Sequence, residues 1–207
     1  MIERDEKHIY RVDGKVVPGV TEILADNKLI DLFGIPVPAL EKARALGTEV
    51  HSVSEHFDKG SLKVETIDPA IVPYFTAYLK FLKENKVEIL EIENFVYSKT
   101  WKYCGQIDRV VQIGKKKGII DLKSTTGMPA FVTIQTALYG VAYEEYTGNK
   151  IDFRWAVQLK PDGTYKLFPH EEKTDKYIGL AAVQLFNWRR KHKVAEGEYN
   201  YEREIFG

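Results

Sequence analysis

The residues Tyr103-Cys104-Gly105-Gln106-Ile107-Asp108-Arg109-Val110-Val111-Gln112-Ile113-Gly114-Lys115-Lys116-Lys117-Gly118-Ile119-Ile120-Asp121-Leu122-Lys123-Ser124-Thr125 organise the rest of the chain. Two apolar, β-branched runs flank a turn of Gly and Lys, which predicts an antiparallel hairpin. Asp108 and Asp121 stand equidistant from the turn's centre, between Gly114 and Lys115, so a symmetric hairpin sets them opposite each other. Opposed side chains on one sheet face lie about 4.5–5.5 Å apart at Cβ, and two carboxylates there repel unless a cation lies between them. Lys123, two residues past Asp121, shares its face by the period of a strand. Two carboxylates and an ammonium converging on an otherwise apolar sheet suit metal-assisted hydrolysis of a phosphodiester.

The tripeptide alone is weak evidence, because Asp/Glu-x-Lys occurs six times in the chain. The others, such as Asp13-Gly14-Lys15 and Glu171-Glu172-Lys173, read as turns or solvated ends. Only Asp121-Leu122-Lys123 follows a strand core, Gly118-Ile119-Ile120, and has a second acid at a mirrored position. The bland alternative is an exposed strand face with fortuitous charges.

At 207 residues the chain is long enough for a substantial core and is read as one domain, with an N-terminal hairpin and short helix over 1–35, a core over 36–170 and a C-terminal helix and tail over 171–207. A hydrophobic content of 44% against 29% charged residues predicts a folded rather than a disordered chain. Lys plus Arg equals Asp plus Glu at 30 each, so overall charge gives no nucleic-acid signal and any such partner needs a local basic groove. Cys104 is the only cysteine, which excludes an internal disulfide and any four-cysteine zinc or iron–sulfur site. Without a signal-peptide pattern or an apolar run of spanning length, the expectation is a soluble cytoplasmic protein, in a host cytoplasm if phage-encoded.

Along the chain, 8–18 predicts a hairpin around Asp13-Gly14, then a short helix from Pro18-Gly19-Val20-Thr21 with Thr21 as candidate cap. A loop is expected over 31–38, then a helix from Ala39 to Phe57 carrying His51, with Gly47 hinting at close packing or a functional approach. A lone helical His is more often structural than a ligand. A second helix is expected from Asp68 to Asn85, its regular part starting at Pro73, followed by an alternating strand from Glu88 to Tyr97. After the central hairpin come a helix from Pro129 to Tyr146, with Gln135 and Tyr139 on one face, and a hairpin around Pro161-Asp162-Gly163. The last helix runs from Thr174 to Val194 and ends in Arg189-Arg190-Lys191-His192-Lys193, a solvated helix end or a phosphate contact.

Four pieces in order, Gly47-Thr48-Glu49-Val50-His51, Gly105-Gln106-Ile107-Asp108-Arg109-Val110, Ile119-Ile120-Asp121-Leu122-Lys123-Ser124-Thr125 and Gln135-Thr136-Ala137-Leu138-Tyr139, resemble the PD-(D/E)XK nuclease superfamily. The branch they resemble is the RecB-like exonucleases, including phage-type enzymes and the mitochondrial genome maintenance exonuclease. Val17 to Leu24 also resembles the opening segment of the phage branch. With Cys104 alone, the chain departs from the family's iron–sulfur members.

The resemblance implies an α/β (α+β) fold of the restriction-endonuclease kind, an αβββαβ core with a central mixed sheet flanked by helices. It implies Mg²⁺ or Mn²⁺ held by Asp108 and Asp121, with the Leu122 carbonyl and His51 as further ligands. Lys123 would position water or stabilise phosphate charge, Gln135 and Tyr139 would orient these groups or the DNA end, and Glu93 matches a position ahead of the first metal Asp. Candidate backbone contacts are Arg109, Lys115, Lys116 and Lys117 near the hairpin and Arg189, Arg190 and Lys191 on the last helix. The implied activity is a DNA exonuclease in recombination, repair or processing, acting on single- or double-stranded DNA with a free end. A homo-oligomer or a recombination protein is a candidate partner, and a membrane is not. The alternatives are a structure- or site-specific endonuclease on the same fold and a non-catalytic nucleic-acid-binding module.

Overall fold

The computed structural model describes residues 2–5, 9–30 and 36–194. Its centre is the hairpin of β5 (Tyr103–Ile113) and β6 (Lys116–Lys123), joined at Gly114-Lys115. Arg109 pairs with Ile120 and Ile113 with Lys116, the register a symmetric turn dictates. Ladder pairing stops at Arg109–Ile120; beyond it the Asp108 carboxylate accepts the Leu122 N–H at 2.7 Å.

The two strands lie inside a five-stranded sheet of order β4-β5-β6-β7-β8, where β4 is Glu88–Ser98, β7 Phe153–Leu159 and β8 Tyr165–Pro169. All pairs are antiparallel except β6 with β7. A parallel neighbour needs a long crossover, which α4 (Phe131–Thr147) supplies. Helices cover both faces, so β5 and β6 read as nearly continuous apolar runs. On one face Val110 and Ile119 pack with Leu138 of α4, with Ile23 of α1 (Val20–Asp26) and with Val183 of α5 (Thr174–His192). On the other, Ile120 and Leu122 pack with Val50 of α2 (Val37–Asp58) and with Tyr78 and Phe81 of α3 (Val72–Asn85). Each such fully buried side chain contributes about 1.5–3 kcal/mol.

An N-terminal sheet of β1 (Ile2–Arg4), β2 (Tyr10–Val12) and β3 (Lys15–Val17) stands apart from the five strands, where the sequence predicted only the hairpin of the last two. Asp13 and Gly14 both have positive φ, as a tight two-residue hairpin turn requires. Cys104 N–H donates to the Pro18 carbonyl and stitches this unit to β5.

Several boundaries differ from expectation for identifiable reasons. Gly19, not Thr21, occupies the N-cap of α1, and Glu22 Oε2 accepts the Gly19 N–H at 3.3 Å. Pro38 and Pro73 each sit in the first turn of a helix, where a missing N–H costs nothing, so α2 begins at Val37 and α3 only at Val72. The expected loop at 31–38 falls partly outside the described residues, as does the expected tail beyond 194. β4 does not alternate cleanly: its register with β5 shifts between Ile89 and Glu91, and Glu93 has a φ of +48°. No helix among the described residues is long and apolar enough to cross a membrane.

Candidate active site and metal centre

The irregularity in β4 creates the site. A left-handed φ is rare for a residue other than glycine and costs on the order of 1–3 kcal/mol. At Glu93 it lies between the paired residues Ile92–Arg109 and Asn94–Ile107, opposite Asp108. His51 reaches over from α2, so that ligand atoms of His51, Glu93 and Asp108 all lie within 4.8 Å of one another. His51 Nε2 is 3.0 Å from the Leu122 carbonyl and Nδ1 is 3.7 Å from Asp108 Oδ2. A carbonyl only accepts, so Nε2 carries the proton, and in the neutral ring Nδ1 presents its lone pair toward the carboxylates. That is the tautomer of a metal-binding histidine whose outer nitrogen is fixed by a backbone oxygen.

Asp121 is almost wholly buried and stands outside that triplet. Lys123 Nζ lies 2.6 Å from its Oδ2 in ion-pair contact, yet off the angle of a hydrogen bond, so Oδ2 is a buried acceptor with no aligned donor among the described residues. Burial pushes Asp121 up to about 6; Lys123 opposes the shift and Asp108 adds to it. Burial, followed by the Asp108 charge, likewise pushes Glu93 up to about 7. Burial alone would pull Lys123 down, but Asp121 and Asp108 outweigh it and favour the ammonium. An orphaned carboxylate oxygen beside an imidazole and two more carboxylates is a donor set that fits a hard or borderline divalent cation. Glu93 thus stands with His51 and Asp108, and Asp121 lies beside them in ion-pair contact with Lys123. The Leu122 carbonyl already receives the His51 proton and keeps one lone pair.

On α4, Gln135 Nε2 donates to the Tyr139 hydroxyl at 3.0 Å, and Gln135 Oε1 is buried without a partner among the described residues. Tyr139 is packed against Gly105 so closely that a Cβ there would lie 2.7 Å from its ring. Burial and the Asp121 charge hold the Tyr139 hydroxyl protonated, well above the usual tyrosine range.

Arg109 corrects the sequence reading. It was a candidate DNA contact, but its neighbours on β5 point it to the α2 side, where it is fully buried. Its Nε donates to Asp58 Oδ2, its Nη1 to Glu93 Oε1 at 2.9 Å and to the Asp108 carbonyl at 2.6 Å. Tyr78 OH donates to the same Asp58 oxygen at 2.6 Å, and Gln106 Nε2 donates to Glu93 Oε2 at 2.9 Å. Both Glu93 oxygens are thus oriented, with a lone pair each to spare. Asp58 and Gln106 escaped the sequence reading; only the pairing of β4 with β5 and a contact across 51 residues bring them here.

The other basic candidates lie elsewhere. Lys115, Lys116 and Lys117 occupy the opposite end of the hairpin, four to six residues from Asp121, about 13–20 Å away. Arg189 is held by Asp26 and Asn27 of the α1 end. Arg190 and Lys191 are exposed.

Fold and site together define a helix-flanked mixed sheet with an acidic, histidine- and lysine-bearing cluster at the C-terminal end of β6. No family model and no curated protein matches the chain. Among solved structures it is similar to a proposed exonuclease from Eubacterium rectale (TM-score 0.49, 13% identity, covering 73% of this chain and 69% of that one). It is also similar to SSO0001 (TM-score 0.37, 14% identity, 76% of each chain). A third is the alkaline exonuclease LHK-Exo from Laribacter hongkongensis (TM-score 0.35, 13% identity, 86% of this chain and 95% of that one). At these scores the likeness assigns nothing by itself.

Proposed function

We propose that this chain is a metal-dependent nuclease of the PD-(D/E)XK kind, hydrolysing phosphodiester bonds of DNA from a free end. The observation that carries the reading is the convergence of His51, Glu93 and Asp108 beside the Asp121–Lys123 pair with its orphaned buried oxygen. His51, Glu93, Asp108 and Asp121 would hold Mg²⁺ or Mn²⁺, with the Leu122 carbonyl in reach as a further ligand. Such an ion, when bound, supplies a water of lowered pKa and neutralises charge on the phosphate.

The chain's own groups divide the remaining work. Lys123 keeps its proton beside two carboxylates, so it serves as a hydrogen-bond donor and positive charge for water or phosphate, not as a general base. His51 is fixed by the Leu122 carbonyl and presents Nδ1 inward. Gln135 and Tyr139 form the wall behind Asp121 and orient its neighbourhood through a protonated hydroxyl. Glu93 is aimed by Gln106 and Arg109. DNA end processing in recombination or repair is the setting this reading implies.

The test is incubation with Mg²⁺ or Mn²⁺ and end-labelled linear or covalently closed circular DNA, in single- and double-stranded forms. Linear DNA should shorten progressively while closed circles survive. Rapid nicking of circles would transfer the reading to an endonuclease, and no metal-dependent product on any substrate would sink it.

A further inference from the structure

The turn between β4 and β5 carries two lysines and is held unusually firmly. Glu145 of α4 accepts from the Ser98 hydroxyl and from both the Thr100 N–H and hydroxyl, the latter two at 2.8 Å. Asn187 of α5 donates to the Trp101 carbonyl at 2.9 Å, and the Trp101 N–H donates to Ser98 Oγ. Lys99 and Lys102 therefore project from an anchored turn, and both are exposed. Across from them are Lys15, on the tip of the N-terminal hairpin, and Arg190, whose guanidinium lies 5.5 Å from the Phe186 ring. These four cations line one cleft of about 620 Å³, with Asp13 the acid among its lining residues. In a chain with no net charge, that is a local concentration of one sign.

Tyr97 lines the cleft and pairs with Cys104 of β5, the strand that carries Gln106 and Asp108. Six residues of chain separate Lys102, which lines the cleft, from Asp108, about 20 Å along the strand, or roughly six nucleotide steps of duplex rise at ~3.4 Å each. Between them stands Arg4 of β1, which donates to Gln106 Oε1 through Nη1. Its Nε is buried and has no acceptor among the described residues.

We propose that the cleft of Lys15, Lys99, Lys102 and Arg190 binds the polynucleotide's sugar–phosphate backbone about six nucleotide steps from the bond that is cut, with Arg4 as the intermediate cation. This rests on the nuclease reading of the acidic cluster. The anchored turn means that the two lysines are placed before the strand arrives, so less ordering is required on binding than for lysines on a loose loop. It also replaces Lys115, Lys116 and Lys117 as the backbone contact, since those sit beyond the opposite end of the hairpin.

Binding of a labelled oligonucleotide to the full chain in EDTA, followed by fluorescence anisotropy over a salt series, tests this without hydrolysis. The triple variant Lys15→Gln, Lys99→Gln and Lys102→Gln should lower the magnitude of the log affinity–log salt slope by about 2–3, at ~0.7–0.9 per phosphate contact, and weaken low-salt binding about tenfold or more. Its Mn²⁺ affinity by calorimetry should match wild type. Lys80→Gln with Lys83→Gln, on α3 across the sheet, should leave the slope unchanged. An unchanged slope in the triple variant, an equal fall in the α3 variant, or no oligonucleotide binding by wild type would each overturn the cleft. Wild type that binds the oligonucleotide through the cleft but shows neither Mn²⁺ binding nor cleavage would instead overturn the nuclease reading alone.

Discussion

Asp108 and Arg109 are neighbours on one strand, and their two sheet faces have opposite characters. On the α2 face, Arg109 and Asp58 form a sealed pair, both shielded from solvent, with the guanidinium distributed over Asp58, Glu93 and the Asp108 carbonyl. On the other face, Asp121 and Lys123 are also an ion pair at 2.6 Å, but Asp121 Oδ2 has no aligned donor among the described residues, and the Asp108 charge and His51, which reaches over from α2, both act on it. Burial alone does not separate a structural charge from a working one. Satisfaction does: a buried charge with every bond made is committed to the fold, and one left short is free to accept another partner.

The largest effect should come from breaking the unsatisfied pair. Asp121→Ala should lower cleavage of linear DNA by on the order of a thousandfold or more, the scale of losing one charge-stabilising group from an active site. The same change relieves carboxylate crowding but leaves the partly exposed Lys123 without its partner, so the melting temperature in EDTA should fall by less than for Arg109→Met. Arg109→Met should behave in the reverse way. It strands Asp58 in the interior, and removing one member of a buried pair costs about 3–5 kcal/mol, readable as a lower urea midpoint. If Asp121→Ala destabilises as much as Arg109→Met, the two faces do not differ as described.

A smaller effect, with a definite sign, is expected from pH. Burial raises Asp121 to about 6 and Glu93 to about 7, so between pH 4 and 7 the folded state holds protons that the unfolded state has released. Stability in EDTA should therefore carry a falling contribution from these groups as pH rises through that window, levelling above 7. Asp121→Asn should flatten the fall. Excess Mn²⁺ should raise the melting temperature most at the upper end of the window, where both carboxylates are ionised and available. A wild-type profile that the Asp121→Asn variant reproduces without change would remove Asp121 from the titrating cluster.

What was legible in the sequence followed periodicity and local symmetry. The hairpin register is encoded by the equal arms on either side of Gly114-Lys115, which is why the pairing up to Arg109–Ile120 could be drawn before any coordinates, although the ladder ends one step short of Asp108 and Asp121. The five central strands and the helices that follow them were readable from alternation and from proline and glycine punctuation. Glu93 was placed through the resemblance alone, because a register shift and a left-handed residue erase the alternation that would have assigned its face. Asp58 was not, because nothing local links it to Arg109, and a charged residue beside a turn-rich basic segment reads as solvated until the helix packed over it is known. Within the helix-end run 189–193 the sequence could not tell the members apart: charge density says nothing of Arg189 being paired with Asp26 while Arg190 is exposed.

The smallest test asks how closely each face is approached by its helices. Gly105 and Gly47 both belong to motifs, yet their surroundings differ. A Cβ on Gly105 would lie 2.7 Å from two carbons of the Tyr139 ring, a side chain that is buried and tied to Gln135, so Gly105→Ala forces a shift and should cost about 1–3 kcal/mol. A Cβ on Gly47 would meet only Ser124 Oγ, at 3.7 Å, which is ordinary contact. The close packing suspected from a glycine inside α2 is therefore absent from the fold itself. Gly47→Ala should gain about 0.5–1 kcal/mol from helix propensity, seen as a melting temperature a few degrees higher. Turnover on linear DNA then decides what the glycine is for. If Gly47→Ala is stabler and equally active, the position is unconstrained. If it is stabler and slower, the space above Gly47 belongs to the substrate, and α2 is a wall of the groove as well as the carrier of His51.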